Sequence, residues 1–184
     1  MNEKVDLRII KTKRTLYNTL ETLMKTHAFE EIKVSDICSH ALINRSTFYS
    51  HYTDKYELLN DYINVMKNNL SEKLSQNQNY KNTKDYYMEM LSLLLEHIES
   101  KKADYAAIMV NNKNSIVMDI IYDVSNRFII NEINNSIRDV DIPSEIISKF
   151  YSGAIFNVCI DWINSKKYSK KEILNFFDKL LPEN

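Results

Sequence analysis

Between Asn44 and His51 the chain reads NRSTFYSH, a carboxamide, a guanidinium, several hydroxyls and an imidazole in immediate succession. Such side chains suit hydrogen bonding to a polar surface: Arg45, Ser46, Thr47 and Tyr49 can address the donor and acceptor edges and thymine methyls of a major groove. A second group lies upstream. Arg8, Lys11, Lys13 and Arg14 fall between Asp6 and Glu21 with no acid among them, a cationic patch able to hold phosphates by Coulomb attraction and counterion release. Lys55 adds a candidate phosphate contact, and Ser35 a hydroxyl near the same region.

Other chemistry finds little support. With one Gly in 184 residues there is neither a phosphate loop nor a nucleophile elbow. His27, His40, His51 and His97 do not stand four residues apart with a Glu between, and Cys38 and Cys159 are isolated, so no metal site and no disulfide framework is expected. Glu96 and Glu99 read as a solvated helix edge. No cofactor is expected, and the chain does not read as an enzyme.

The elements that must carry these groups are helices. One Gly and two Pro, with 44% hydrophobic and 27% charged residues, argue for a soluble all-α protein. Leu16, Tyr17, Leu20, Leu23 and Met24 recur at spacings of three and four, which predicts a helix over about 8–26. Ser35 is expected to cap a short second helix with Asp36 favouring its positive end, and Asn44 to cap a third running to about Tyr52. In that third helix only Phe48 and Tyr52, four apart, are large core candidates, so the polar residues face outward. Two short helices joined by a tight turn, the second one polar, describe a helix-turn-helix whose second helix enters the major groove.

Asp54 is expected to cap a long fourth helix to about residue 75. The polar stretch Ser75 to Thr83 marks a break, and further helices are predicted over Tyr86–Ile98, Ala103–Val110 and Ile116 to about Ile137, then from Ser144 to about Ser165 and over Lys170–Leu181, about nine in all. Asp139 to Pro143 reads as a turn. Charge differs along the chain: residues 1–56 carry nine basic and seven acidic groups, the remainder fifteen and eighteen.

The stretch FEEIKVSDICSHALINRSTFYSHYTDKYELL resembles the DNA-binding signature of the TetR family of bacterial transcriptional regulators, over about residues 8–60, with STFYSHYTDKYELL its most specific part. The resemblance implies that Thr47, Tyr49 and His51 contact DNA, that Asn44, Arg45 and Ser46 face bases, that Lys55 anchors a phosphate and that Phe48 is core. The family usually has Gly where this chain has Leu42, a place where a positive φ would strain a leucine. The tail resembles, more faintly, the branch that includes regulators of dihydroxyacetone kinase operons, some of which work with a partner protein.

A helix-turn-helix domain over residues 1–53 and a helical regulatory and dimerisation domain over 54–184 are therefore expected. The helix from Ser144 has apolar residues on two faces, and its single Gly153 suggests close approach of another helix. Tyr151, Gly153, Ala154, Val158 and Trp162, with Phe177 and Leu180 on the last helix, are expected to form a four-helix bundle across a two-fold axis. Tyr86, His97, Tyr105, Tyr122, Phe128 and Phe150 are candidates to line an effector pocket. The expected protein is a homodimer on a near-palindromic duplex, a repressor released by a small-molecule effector. The rival is a regulator of the same fold that acts mainly through a protein partner. Neither a membrane span nor a signal peptide is apparent, so the expected location is the cytoplasm.

Overall fold

The computed structural model describes residues 7–76, 83–136, 142–165 and 167–181. Among them all regular structure is helical: α1 (Leu7–Met24), a 3-10 turn (Phe29–Glu31), α2 (Val34–Ala41), α3 (Arg45–Tyr49), α4 (Lys55–Gln76), α5 (Thr83–Ser100), α6 (Lys102–Asn112), α7 (Ile116–Ser136), α8 (Ser144–Asn164) and α9 (Lys170–Leu180). The expected break at Ser75–Thr83 and turn at Asp139–Pro143 fall largely outside the described residues. No described helix is long and apolar enough to cross a membrane.

The chain packs as two compact units. The first holds residues 1–64 with 107–120, the second 65–106 with 121–184. In the first, α1 packs on α2 and α2 on α3. Leu16, Leu20, Phe29, Ile37, Phe48, Leu58 and Leu59 make its core. Burying side chains of this size contributes about 1.5–3 kcal/mol each, enough to hold helices too short to persist alone.

Local signals set where the short helices start. The Asp36 carboxylate accepts the Lys33 N–H at 2.9 Å, and α2 begins at Val34. Ser35 therefore lies inside the first turn, a correction to the expected cap: the acceptor that ends the preceding strand-like backbone is Asp36, not the serine. Asn44 does stand at the N-cap of α3, in extended backbone, but its side chain makes no capping hydrogen bond. α3 closes at Tyr49, one turn short of the predicted end. Asp54 behaves as expected, its Oδ1 accepting the N–H groups of Tyr56 and Glu57 at 2.8 Å.

In the second unit α5 packs along α9. Leu91, Leu95 and Ile98 meet Cys159 and Trp162 of α8 and Ile173 and Phe177 of α9, and a second cluster joins Leu74, Met90 and Ile129. Ser169 and Glu172 form a reciprocal capping box that starts α9. Cys38 and Cys159 are both buried free thiols, Cys159 pushed up to about 12 by burial.

Candidate nucleic-acid interface

The outward face of α3 follows from what its inward face buries. Phe48 and Tyr52 are buried, with ring centroids 5.9 Å apart. Phe48 within this five-residue helix and Tyr52 three residues beyond its end both turn inward, and Asn44, Arg45, Ser46 and Tyr49 are left exposed. Thr47 and His51 are half-buried at the flanks of the same element. Tyr49 sets its ring edge-on to Phe48, centroids 5.5 Å apart, which orients an otherwise exposed phenol.

Beside α3 an open cleft is lined by Lys33, Ser35, Arg45, Tyr49, Lys55 and Tyr56 together with the acidic Glu30, Glu31 and Asp54. It brings together Ser35, Arg45, Tyr49 and Lys55 of the sequence candidates. Lys33 and Tyr56 were missed. Lys33 stands two residues before Ser35, just ahead of the second helix, and Tyr56 directly after Lys55, so the beginnings of α2 and α4 were the available signal.

Lys55 itself is committed elsewhere. Its ammonium donates to the carbonyl oxygens of Phe29, Glu30 and Ile32 at 2.8, 2.9 and 2.8 Å and lies 4.8 Å from the centre of the Phe29 ring. Lysine has three N–H donors and all three are used here. Burial lowers its pKa from the ordinary lysine value. Lys55 thus ties down the 3-10 turn with all three of its donors. The N-terminus of α4 is likewise occupied, by the Asp54 carboxylate.

Of the basic residues on α1, Lys11 and Arg14 are exposed, whereas the Lys13 ammonium lies 2.9 Å from Asp61 Oδ2. The hydroxyls of Tyr17 and Tyr52 donate to the same oxygen, both at 2.7 Å. Burial alone would raise the Asp61 pKa, but the three donors outweigh it and hold the carboxyl below its ordinary value. Burial pushes Tyr17 up to about 12 and Tyr52 higher still. Lys13 is therefore paired within the chain, and this network ties α1 to α4 and to Tyr52, the anchor of the polar helix.

The turn between α2 and α3 carries the one positive φ among the described non-glycine residues. Leu42 has φ 55° and ψ 41° and is 91% exposed. Its N–H is nonetheless bonded back to the end of α2, closing the helix as a glycine would.

The sequence matches the family model described as bacterial regulatory proteins, tetR family, over residues 16–62, and the transcriptional regulator C-terminal region over residues 85–183. The chain belongs to the TetR family. A curated relative in this family, the HTH-type dhaKLM operon transcriptional activator DhaS of Lactococcus lactis, is 31% identical over 105 residues, 56% of this chain and 51% of the relative. The match thus spans about half the length of that protein. Among solved structures, Lin0861 from Listeria innocua shares the fold at TM-score 0.72 and 21% identity, covering 98% of this chain and 94% of its own. A TetR regulator from Streptococcus agalactiae does so at 0.67 and 22%, covering 95% and 96%. This TetR chain is accordingly a transcriptional regulator with an N-terminal helix-turn-helix and a helical C-terminal region.

Its second unit departs from expectation at several residues. Trp162 is buried, donates from Nε1 to the Tyr168 carbonyl at 2.9 Å and has the Lys102 ammonium 4.3 Å above its ring. With Phe177 it belongs to the chain's own core, and Val158 packs against that core. Tyr151 stacks on Tyr87. Conversely Phe150, expected in a pocket, is 71% exposed, as are Ile146 at 54% and Leu180 at 78%. A methyl built on Gly153 would meet nothing within 4 Å of the chain.

The other aromatic candidates fill space. Tyr86 and Phe128 pack on the Leu74 cluster, Tyr122 sets its ring edge-on to Phe156, and the His97 ring nitrogen lies 2.7 Å from the Tyr105 hydroxyl. The void bounded by Tyr87, Met90, Ile129, Tyr151 and Phe177 measures about 10 Å³, space for one water.

Proposed function

We propose that this TetR regulator reads duplex DNA as a homodimer, with α3 of each protomer in successive major grooves of a near-palindromic site. The observation that carries the reading is the exposure of Asn44, Arg45, Ser46 and Tyr49 on a helix pinned by Phe48 and Tyr52, alongside a cleft that adds Lys33 and Ser35. Arg45, Ser46, Thr47 and Tyr49 address base edges. Lys11, Arg14, Lys33 and His51 meet the phosphates on either side.

The partner surface consists of Ile146, Phe150, Gly153 and Ala154 on α8 with Phe176 and Leu180 on α9. Large apolar groups left in water along two adjacent helices favour association with a second copy, and two such helices from each protomer make a four-helix bundle. Two recognition helices would then stand about 34–36 Å apart. Residues 1–53 act as the reading head and the remainder as the regulatory part. A small-molecule effector bound in that part would favour a geometry of the wrong separation and release the DNA, the action of a repressor.

A second reading replaces the effector by a protein partner. The small size of the void between Tyr87, Tyr151 and Phe177, about 10 Å³, supports it, since a drug-sized ligand needs about 300 Å³ or more. Enrichment of bound duplexes from a random pool at two salt concentrations tests the main reading. An inverted repeat should emerge, with affinity falling steeply with salt; a pool that never converges on a sequence would contradict it.

A further inference from the structure

Asn112, at the last position of α6, is fully buried with 0% exposure, and its carboxamide is used on both sides. Oδ1 accepts the N–H of Phe29 at 2.7 Å. Nδ2 lies 3.1, 3.3 and 3.0 Å from the carbonyl oxygens of Met24, His27 and Ile108. Two amide hydrogens facing three carbonyls, with the oxygen facing an N–H, fix the orientation of the group: neither a flipped amide nor a carboxylate satisfies the site. Asn111 adds a hydrogen bond to the Lys25 carbonyl at 3.2 Å, and Glu30 Oε1 accepts the Ile116 N–H at 3.1 Å.

These contacts bracket the bend between the end of α1 and the 3-10 turn. Lys55 holds the same turn through the carbonyls of Phe29, Glu30 and Ile32. The segment is thus held by Asn112 at the Phe29 N–H and the Met24 and His27 carbonyls, and by Lys55 at the carbonyls that follow. Two residues further on, Lys33 and Ser35 open α2 and line the cleft beside Arg45 and Tyr49. A shift of the turn carries the start of α2 with it.

We propose that Asn112 is a positioning residue for DNA recognition: from the α6–α7 turn its carboxamide fixes the bend at Met24–Phe29 and so sets the N-terminus of α2 in the cleft. The inference rests on the DNA-reading function proposed above. It assigns to a residue far from the helix-turn-helix in sequence a part in how tightly the correct duplex is held.

The test uses the full chain as wild type, Asn112→Asp, Asn112→Ser and Leu16→Ala, a core truncation on α1 two turns before the bend that serves as a control for lost stability. At a temperature where all are folded, affinity is measured for the enriched duplex and a scrambled one, and amide exchange is followed by mass spectrometry. Both Asn112 variants should lose about tenfold or more on the enriched duplex with little change on the scrambled one. They should also exchange faster over residues 29–37, while Leu16→Ala keeps the wild-type ratio between duplexes.

An unchanged ratio in both Asn112 variants, or an equal loss in Leu16→Ala, would overturn the positioning role. If wild type fails to discriminate the duplexes, the DNA-reading proposal fails by itself. Exchange over residues 29–37 then decides the inference, and rates equal to wild type reject it. Should neither variant fold, the Phe29 amide of wild type provides the reading: it should be protected as strongly as that of Leu20 in α1, and exchange at an open-loop rate would refute the claim.

Discussion

At the scale of single residues, the side chains that hold the interface in place differ from those that face out of it. Lys55, with three carbonyls around its ammonium, has the first role. Hydrogen bonds to charged groups contribute about 1.5–3 kcal/mol, and part of this site is exposed, so Lys55→Met should lower unfolding stability by about 2–3 kcal/mol in urea titrations. The salt slope of DNA binding should stay the same, since a lost phosphate contact would flatten it by about one unit. Asp61 is a titratable counterpart. Its folded pKa lies below the ordinary 3.8, so its contribution is present above that value and is lost as pH falls through the folded pKa. Melting temperatures of wild type should accordingly drop more steeply than those of Asp61→Asn as pH is lowered below about 4. Parallel curves would show that the carboxylate contributes nothing.

At the scale of elements, the helix-turn-helix was legible because its signals are local. Phe48 and Tyr52 at a four-residue spacing fixed which way α3 faces, and Asp54 fixed where α4 starts. The roles of Lys13 and Lys55 were not legible, because a lysine's partner lies across the fold: Asp61 for one, the carbonyls of the 3-10 turn for the other. α2 starts two residues before the expected place, because Asp36 caps from inside the first turn by accepting the Lys33 N–H, and only geometry distinguishes that from a cap at Ser35. Leu42 was flagged by comparison with a position where related chains carry Gly, and the backbone there is left-handed. A left-handed leucine costs about 1–2 kcal/mol, offset by about 0.5–1 kcal/mol of chain entropy when glycine replaces it. Being 91% exposed, the side chain gives up little burial. Leu42→Gly should therefore raise the unfolding free energy by about 0.5–1 kcal/mol, and an unchanged or lower urea midpoint would contradict this.

At the scale of the whole molecule, periodicity showed that α8 is apolar over two faces but not which face is which. Trp162 and Cys159 turn inward, whereas Ile146 and Phe150 turn outward, a choice made by α5 and α9 rather than by α8 alone. Gly153 offers a clean probe, because the space beside it within the chain is empty. Gly153→Leu should leave monomer folding intact, with about 1 kcal/mol gained in helix propensity, and should shift the protein towards monomer in sedimentation velocity. A chain that sediments the same with glycine or leucine would remove this face from the proposed homodimer.

The most direct measurement of the reading helix is the affinity of wild type and Arg45→Ala for the enriched duplex and its scrambled counterpart at one salt concentration. Specific regulators prefer their site by about 10³-fold or more. Arg45→Ala should narrow that ratio by about 1–3 kcal/mol while binding scrambled DNA almost as well as wild type. A ratio that survives the substitution intact would mean that α3 is not what reads the DNA.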